Sequence, residues 1–361
     1  MRLAPRVLRS TAVAGLVAGL LVPALVGSPG ATAAVPATAL TATGVTATDV
    51  KVASYNISNL AFDSQAAGDH AVWKKRRPVI RKQILAQRLD VVGLQEANQS
   101  SIYPTSVSYG VNQYMDLLSA LTLNGGHYAL TNEYAYNCVK PASTYKCVYQ
   151  DRGASQDTRI MYNTDTVSME SQGSLLFRAQ SPGNPRYLAW AIFKLNSNGR
   201  EFLFTNTHLT PSSSPVRQAQ WDEAIDLTNS LKADRAVIAV GDYNTSKYAD
   251  YAATYLPKMK AAGYGDVLNQ QYATNPVKNP RAATVNNAWI NSFNGFRRNI
   301  AQYSYSTQRT KTGNNIDWVF ASNDLVVKNW SVVVPLDSTG LAIAGVIPSD
   351  HNEVVATLAL G

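Results

Sequence analysis

Apolar and polar positions divide the chain into a leader, a linker and one long patterned region. Arg2, Arg6 and Arg9 lead into an apolar run from Thr11 to Val26, and small residues follow at Ala31-Thr32-Ala33-Ala34. That order is the layout of a secretory signal peptide, so residues 1–34 are expected to be removed and the mature protein to be secreted. As a membrane anchor the run is short, and Pro23 interrupts it. Residues 35–49, rich in Thr, Ala and Val, lack a period and read as a linker, leaving 50–361 as the folded domain.

From Val50 the pattern becomes regular. Val50 to Asn56 alternates as a strand does and ends in polar residues. Pro78 to Arg88 predicts a helix with proline in its first turn and an apolar face of Val79, Ile80, Ile84 and Leu85. Val91 to Glu96 predicts a buried strand, and Tyr114 to Leu123 a helix. Strands are expected at Arg159 to Tyr162 and Val167 to Phe177. A hairpin, Tyr187 to Leu195 with Glu201 to Thr207, turns at Asn196-Ser197-Asn198-Gly199. Then come a helix (Val216 to Leu231), a strand (Ala236 to Val240) and a helix (Tyr251 to Ala262). The closing strands are Ile316 to Ala321, Val326 to Val334 and Glu353 to Leu358. Several strands are apolar on both faces, which suits two stacked sheets covered by helices in one α/β domain.

Composition refines this picture. The chain carries a formal charge of +8, and loss of the three leader arginines leaves +5. A basic exported protein suits a polyanionic partner such as nucleic acid, a phosphorylated lipid surface or a cell-wall polymer. The only cysteines, Cys138 and Cys147, are expected to form a disulfide once exported.

Polar clusters stand at strand ends. Asn56 closes the first strand and Glu96 the second; His208 follows Thr205-Asn206-Thr207; Asp242 and Asn244 lie in Gly241-Asp242-Tyr243-Asn244; Asp317 lies in Ile316-Asp317-Trp318-Val319; Asp350 and His351 lie in Ser349-Asp350-His351. Singly, each reads as a turn residue or helix cap. Together they form a set suited to phosphoester hydrolysis, which needs neutralised charge, an oriented water and a proton path. Carboxylates bind hard cations such as Mg²⁺, Mn²⁺ or Ca²⁺, and a histidine held by a carboxylate moves protons near neutral pH. His70 and His127 lie in polar, loop-like settings and read as surface residues.

In this order the motifs resemble the endonuclease/exonuclease/phosphatase superfamily, over about Val50 to Leu360. The resemblance implies a four-layer α/β/β/α sandwich of two mixed sheets. It implies that Glu96 with Asn56 binds the main metal, Mg²⁺ or alternatively Mn²⁺ or Ca²⁺, and that Asp350 completes or borders that site. Asp242 and Asn244 would orient water and a phosphate oxygen. His351 would serve as general base or phosphate-binding imidazolium with its ring held by Asp317, and His208 would contact the phosphate or protonate the leaving oxygen. An acidic partner for His208 is open; Asp157 is near in sequence.

The substrate is approached through charge. Between Asp266 and Asp317 no acid occurs, while Lys278, Arg281, Arg297, Arg298, Arg309 and Lys311 alternate with aromatics. Cations interleaved with rings suit nucleic acid, with Arg297, Arg298 and also Arg159 as expected contacts. The same segment is also read as a long loop with its own small core. A sphingomyelinase-like enzyme, a small-molecule phosphatase and a non-catalytic binding module are the alternatives. Leu341 to Ile347 is the candidate membrane-facing hairpin for the lipid reading, and Lys74-Lys75-Arg76-Arg77 reads as a solvated approach to the helix.

Overall fold

The computed structural model describes residues 48–100, 111–142, 144–249, 251–269, 280–304 and 312–360. The expected signal peptide and nearly all of the expected linker lie outside these residues. Thirteen strands in the described residues build two sheets.

The first sheet runs in the order β10 (Thr284–Asn286), β12 (Val326–Val333), β13 (Glu353–Ala359), β1 (Asp49–Asn56), β2 (Val91–Gln95), β4 (Arg159–Asn163) and β3 (Tyr128–Leu130). The second runs β5 (Val167–Leu176), β6 (Tyr187–Leu195), β7 (Glu201–His208), β8 (Ala236–Asp242), β11 (Asp317–Ser322) and β9 (Tyr264–Asp266). Both are mixed: β1 pairs parallel with β2, and β7 with β8, while β1–β13 and β8–β11 are antiparallel.

Period-two alternation explains the layers. Val50 and Val52 of β1, Val91 of β2, Phe202 and Phe204 of β7, Ile238 and Val240 of β8 and Val319 of β11 share one core between the sheets. The opposite faces pack on helices. Ala53, Tyr55, Val92 and Leu94 meet α1 (Trp73–Gln87) and α2 (Gln113–Thr122). Leu203, Val237, Trp318 and Phe320 meet α3 (Ser214–Lys232) and α4 (Ala252–Ala261). The molecule is the expected α/β/β/α sandwich.

Three expectations change. β1 begins at Asp49, one residue inside the expected linker, and Lys328 pairs with its carboxylate at 2.6 Å. The first helix starts at Trp73, so Pro78 lies inside it. The proline removes only one backbone bond, and the buried face of Trp73, Arg76, Ile80 and Ile84 holds the helix across it. The short edge strands β3, β9 and β10 carry no readable alternation because each has three residues.

Cys138 and Cys147 are disulfide-bonded, with Cα atoms 5.3 Å apart. No helix among the described residues is long and apolar enough to cross a membrane. In the candidate membrane-facing segment Ile343 and Ile347 are buried, while Leu341 and Ala344 are exposed.

Candidate active site

The inner face of each central strand is apolar along its length and turns polar at one end. Following the parity of Val50 and Val52 leads to Asn56; that of Val91 leads past Gly93 to Gln95; that of Phe202 and Phe204 to Asn206 and His208; that of Ile238 and Val240 to Asp242. Asp317 opens the antiparallel β11 at the same level: it registers with Asp242, as does His208. Two sheets that share an apolar core therefore share one polar end.

The sheets approach closely there. A Cβ on Gly93 would lie 2.3 Å from Val240 Cγ2. Gln95 Nε2 donates to Asn206 Oδ1 at 2.7 Å, and Asn206 Nδ2 donates to the Leu94 and Arg159 carbonyls at 2.9 and 2.8 Å. Asn206 thus stitches the sheets beneath the site.

Asn56 sits at the centre. Its Nδ2 lies 3.3 Å from Glu96 Oε1 and 3.1 Å from Asp242 Oδ2. The Asn59 amide donates to Glu96 Oε2 at 2.8 Å. Burial pushes the Glu96 carboxyl above its ordinary range, and the neighbouring Asp350 carboxylate pushes it further. Two such carboxylates are hard-oxygen donors that a divalent cation would neutralise, so they fit the expected metal, while Asn56 turns its Nδ2 toward Glu96 and its Oδ1 accepts from the Ser58 amide at 3.0 Å.

Beside them lies a second grouping. His351 Nδ1 bonds Asp317 Oδ2 at 2.8 Å, and His351 Nε2 stands 3.7 Å from Asp242 Oδ2. His208 Nε2 stands 3.5 Å from the same oxygen. Asp242, Asp317 and His351 are buried with ligand atoms within 4.8 Å of one another, a cluster able to chelate a divalent cation. Burial pulls the His351 imidazole down, but Asp317 and Asp242 more than offset it and hold the ring well above its ordinary value. The Asp242 carboxyl is pushed up to about 7, by burial and then by Asp317. The ion pairing of His351 with Asp317 already engages two atoms of this cluster. Both Glu96 oxygens are engaged as well, by Asn56 Nδ2 and the Asn59 amide.

His208 differs. Burial lowers it well below its ordinary value, and Arg186 and His351 add to that, so its imidazole is neutral. Its Nδ1 has no hydrogen-bond partner. Asp157 is buried and interacts with Arg186 and Arg159, with no bond to His208. Asn244 places its amide on Asp242 Oδ1 at 2.8 Å and its side chain on the Leu209 carbonyl at 3.0 Å, in a left-handed conformation with φ of 47°. That anchor orients Asp242 rather than leaving the Asn244 amide group open.

The three expected arginine contacts fare differently. Arg159 is buried, its guanidinium 4.2 Å from the Tyr114 ring centroid and bonded to the Tyr134 carbonyl at 2.8 Å. It packs under the loop before β4 and does not face the cleft surface. Arg298 is spent on Asp69 at 2.6 Å and on the Ile343 and Gly345 carbonyls. Arg297 is exposed and donates to the Gln302 carbonyl at 2.9 Å. Arg281 clamps the Gly265, Ala321, Ser322 and Leu325 carbonyls, and Trp289 is core. The described part of the basic segment is thus largely a small core of its own; Lys278, Arg309 and Lys311 lie outside the described residues. Among the described aromatics of the segment, Phe293 touches the catalytic cluster, 5.0 Å from the His351 ring centroid and 45 % exposed.

Sequence reasoning missed three residues. Arg186, ahead of β6, faces His208 and Asp157, and its Nη1 is buried without a partner. His70 is not a free surface residue: its ring stacks on Phe296 at 3.9 Å near Asp350. Arg76 is fully buried beneath the Asn56 and Asp350 loops. Only Arg76 left a readable signal, because it falls on the 73–76–80–84 apolar spacing.

A family profile described as the endonuclease/exonuclease/phosphatase family matches residues 53–351. No curated protein matches. Among solved structures, an endonuclease/exonuclease/phosphatase family protein from Bacteroides thetaiotaomicron is 21% identical with a TM-score of 0.63, over 87% of this chain and 98% of that one. A mannosyl-6-phosphatase from the same organism is 19% identical with a TM-score of 0.58, over 86% and 100%. TDP2 from D. rerio, solved with a single strand DNA product, is 14% identical with a TM-score of 0.52, over 86% and 98%. At these identities the likeness is one of fold.

Proposed function

The chain belongs to the endonuclease/exonuclease/phosphatase family, and from that premise we propose that it is a secreted, divalent-metal-dependent endonuclease that hydrolyses nucleic-acid phosphodiester bonds. The observation that carries the phosphoesterase reading is the convergence of Asn56, Glu96, His208, Asp242, Asp317 and His351 at one end of the inter-sheet core. Arg186 beside His208 and the exposed Phe293 ring beside His351 support a polyanionic, base-bearing substrate.

In this reading Glu96 and Asp350, with Asn56 beside them, would hold the cation, Mg²⁺ in the first place. When bound, the cation supplies positive charge to the phosphate and the leaving oxygen. Asp242, raised to about 7, orients the attacking water and accepts its proton. Asn244 and Asn56 fix the Asp242 oxygens at 2.8 and 3.1 Å. His351 is held as an imidazolium by Asp317, which makes it a donor to a phosphate oxygen rather than the base. Neutral His208 offers a hydrogen bond to the same phosphate, and Arg186 adds charge beside it.

The test offers the mature protein plasmid DNA, RNA, sphingomyelin and a phosphomonoester, each with Mg²⁺, Mn²⁺, Ca²⁺ or EDTA. Cleavage of nucleic acid that EDTA abolishes, and that weakens steeply with salt, is the expected result. Turnover of lipid or monoester alone overturns the substrate. N-terminal sequencing of the exported protein is expected to begin near Val35; a retained leader overturns secretion.

A further inference from the structure

We propose that Arg76 is a positioning residue for the cation site, holding together the loop that grips Glu96 and the loop that carries Asp350. The inference rests on the assignment of Glu96 and Asp350, with Asn56 beside them, as that site.

Arg76 lies on the buried face of α1, at 0% exposure. Its Nη1 donates to the Ile57 carbonyl at 2.7 Å and the Pro348 carbonyl at 3.1 Å, and its Nη2 to the Ser58 carbonyl at 3.1 Å. Ile57 and Ser58 form the turn between Asn56 and Asn59, the two residues that grip Glu96. Pro348 leads into Ser349 and Asp350. One guanidinium therefore spans loops nearly 300 positions apart, where the Ser349 hydroxyl also donates to the Asn56 carbonyl at 2.7 Å.

The chemistry favours arginine here. Ser58 has φ of 55°, so the turn presents successive carbonyls in one direction, and a planar fork of donors matches them. Asp63 Oδ1 pairs with Nη2 at 3.6 Å, a longer contact than those to the loop carbonyls. The Trp73 and Phe296 rings flank the guanidinium, at 5.5 and 5.7 Å to their centroids. Partners of this outer kind fix the direction of the ligands they support, and their loss typically weakens metal affinity about 10–100-fold. A positive charge beneath the site by itself opposes cation binding, so a clamp and a mere charge give opposite signs.

Mn²⁺ is titrated calorimetrically into the full mature chain and into Arg76→Met, Arg76→Lys, Ile84→Ala and Glu96→Ala. Ile84 lies two turns along the same buried face and is the control for general loosening. Arg76→Met is expected to weaken Mn²⁺ about 10–100-fold. Arg76→Lys, which keeps the charge but loses the fork, is expected to weaken it too and serves if Arg76→Met does not fold. Ile84→Ala is expected to bind as the parent does. Unchanged or tighter binding in the Arg76 variants, or equal weakening in Ile84→Ala, overturns the clamp. Parent-like binding by Glu96→Ala, or no binding by the parent, overturns the ligand assignment itself, and the clamp with it.

Discussion

At the scale of single residues, the site is a balance between burial and neighbouring charge. His351 and His208 flank the same Asp242 oxygen at 3.7 and 3.5 Å, yet one ring is held charged and the other neutral. Asp317 makes the difference, because it bonds His351 Nδ1 and nothing comparable reaches His208 Nδ1. His351→Ala is expected to lower turnover by at least ~10²-fold, the range for groups that move or hold protons. Steady-state kinetics checks this, and a loss under threefold removes His351 from the mechanism. Asp317→Asn should retain the fold but lose most of that activity, since an amide no longer stabilises the imidazolium. The motif residues were legible because catalytic side chains stood at strand ends in order. Arg186 was not, since a lone arginine in a Gly-Asn-Pro loop carries no period.

At the scale of elements, the strands decide what the side chains can reach. Their parity sends Asn56, Gln95, Asn206, His208, Asp242 and Asp317 into the space between the sheets. Gly93 sets how close the sheets come there. Its replacement by alanine would place a carbon 2.3 Å from Val240 and 2.8 Å from Asn206. Gly93→Ala is expected to cost about 1–3 kcal/mol by overpacking and to lower activity through the Gln95–Asn206 contact. Denaturant midpoints with parallel kinetics test this; an unchanged midpoint and rate would show that the gap yields freely. The run Lys74-Lys75-Arg76-Arg77 shows how elements mislead. Four consecutive cations look solvated, but a helix turns one of them inward every three or four residues, and here that one is Arg76.

At the scale of the whole molecule, the same stacking that builds the site buries groups with no catalytic role. Glu353 in β13 is fully buried, neither carboxylate oxygen has a partner, and burial raises its carboxyl to about 8 despite Lys51 nearby. Its folded form holds a proton more tightly than the unfolded chain, whose carboxyl titrates near 4.5. The resulting stability is complete below about 4.5 and declines as pH rises to about 8. Unfolding by urea at pH 5 and pH 8 should therefore show Glu353→Gln losing less stability than the parent over that interval. Equal losses would mean that Glu353 is hydrated or paired in solution.

The sequence by itself determined the period of the longer strands and helices, the order of the motifs and hence the family, because these are local or ordered along the chain. Only the tertiary structure decided which cations are spent. Arg159 and Arg298 read as contacts for a polyanion, and Arg281 as part of the same basic segment, but each is committed to backbone carbonyls, a ring or Asp69. A charge in sequence has no depth, and depth is what turns an arginine into a clamp, a phosphate ligand or a solvated surface group. The same holds for His208 and His351: their motifs are equally plain, but their protonation depends on partners 22 to 143 positions away that meet them only when the chain folds.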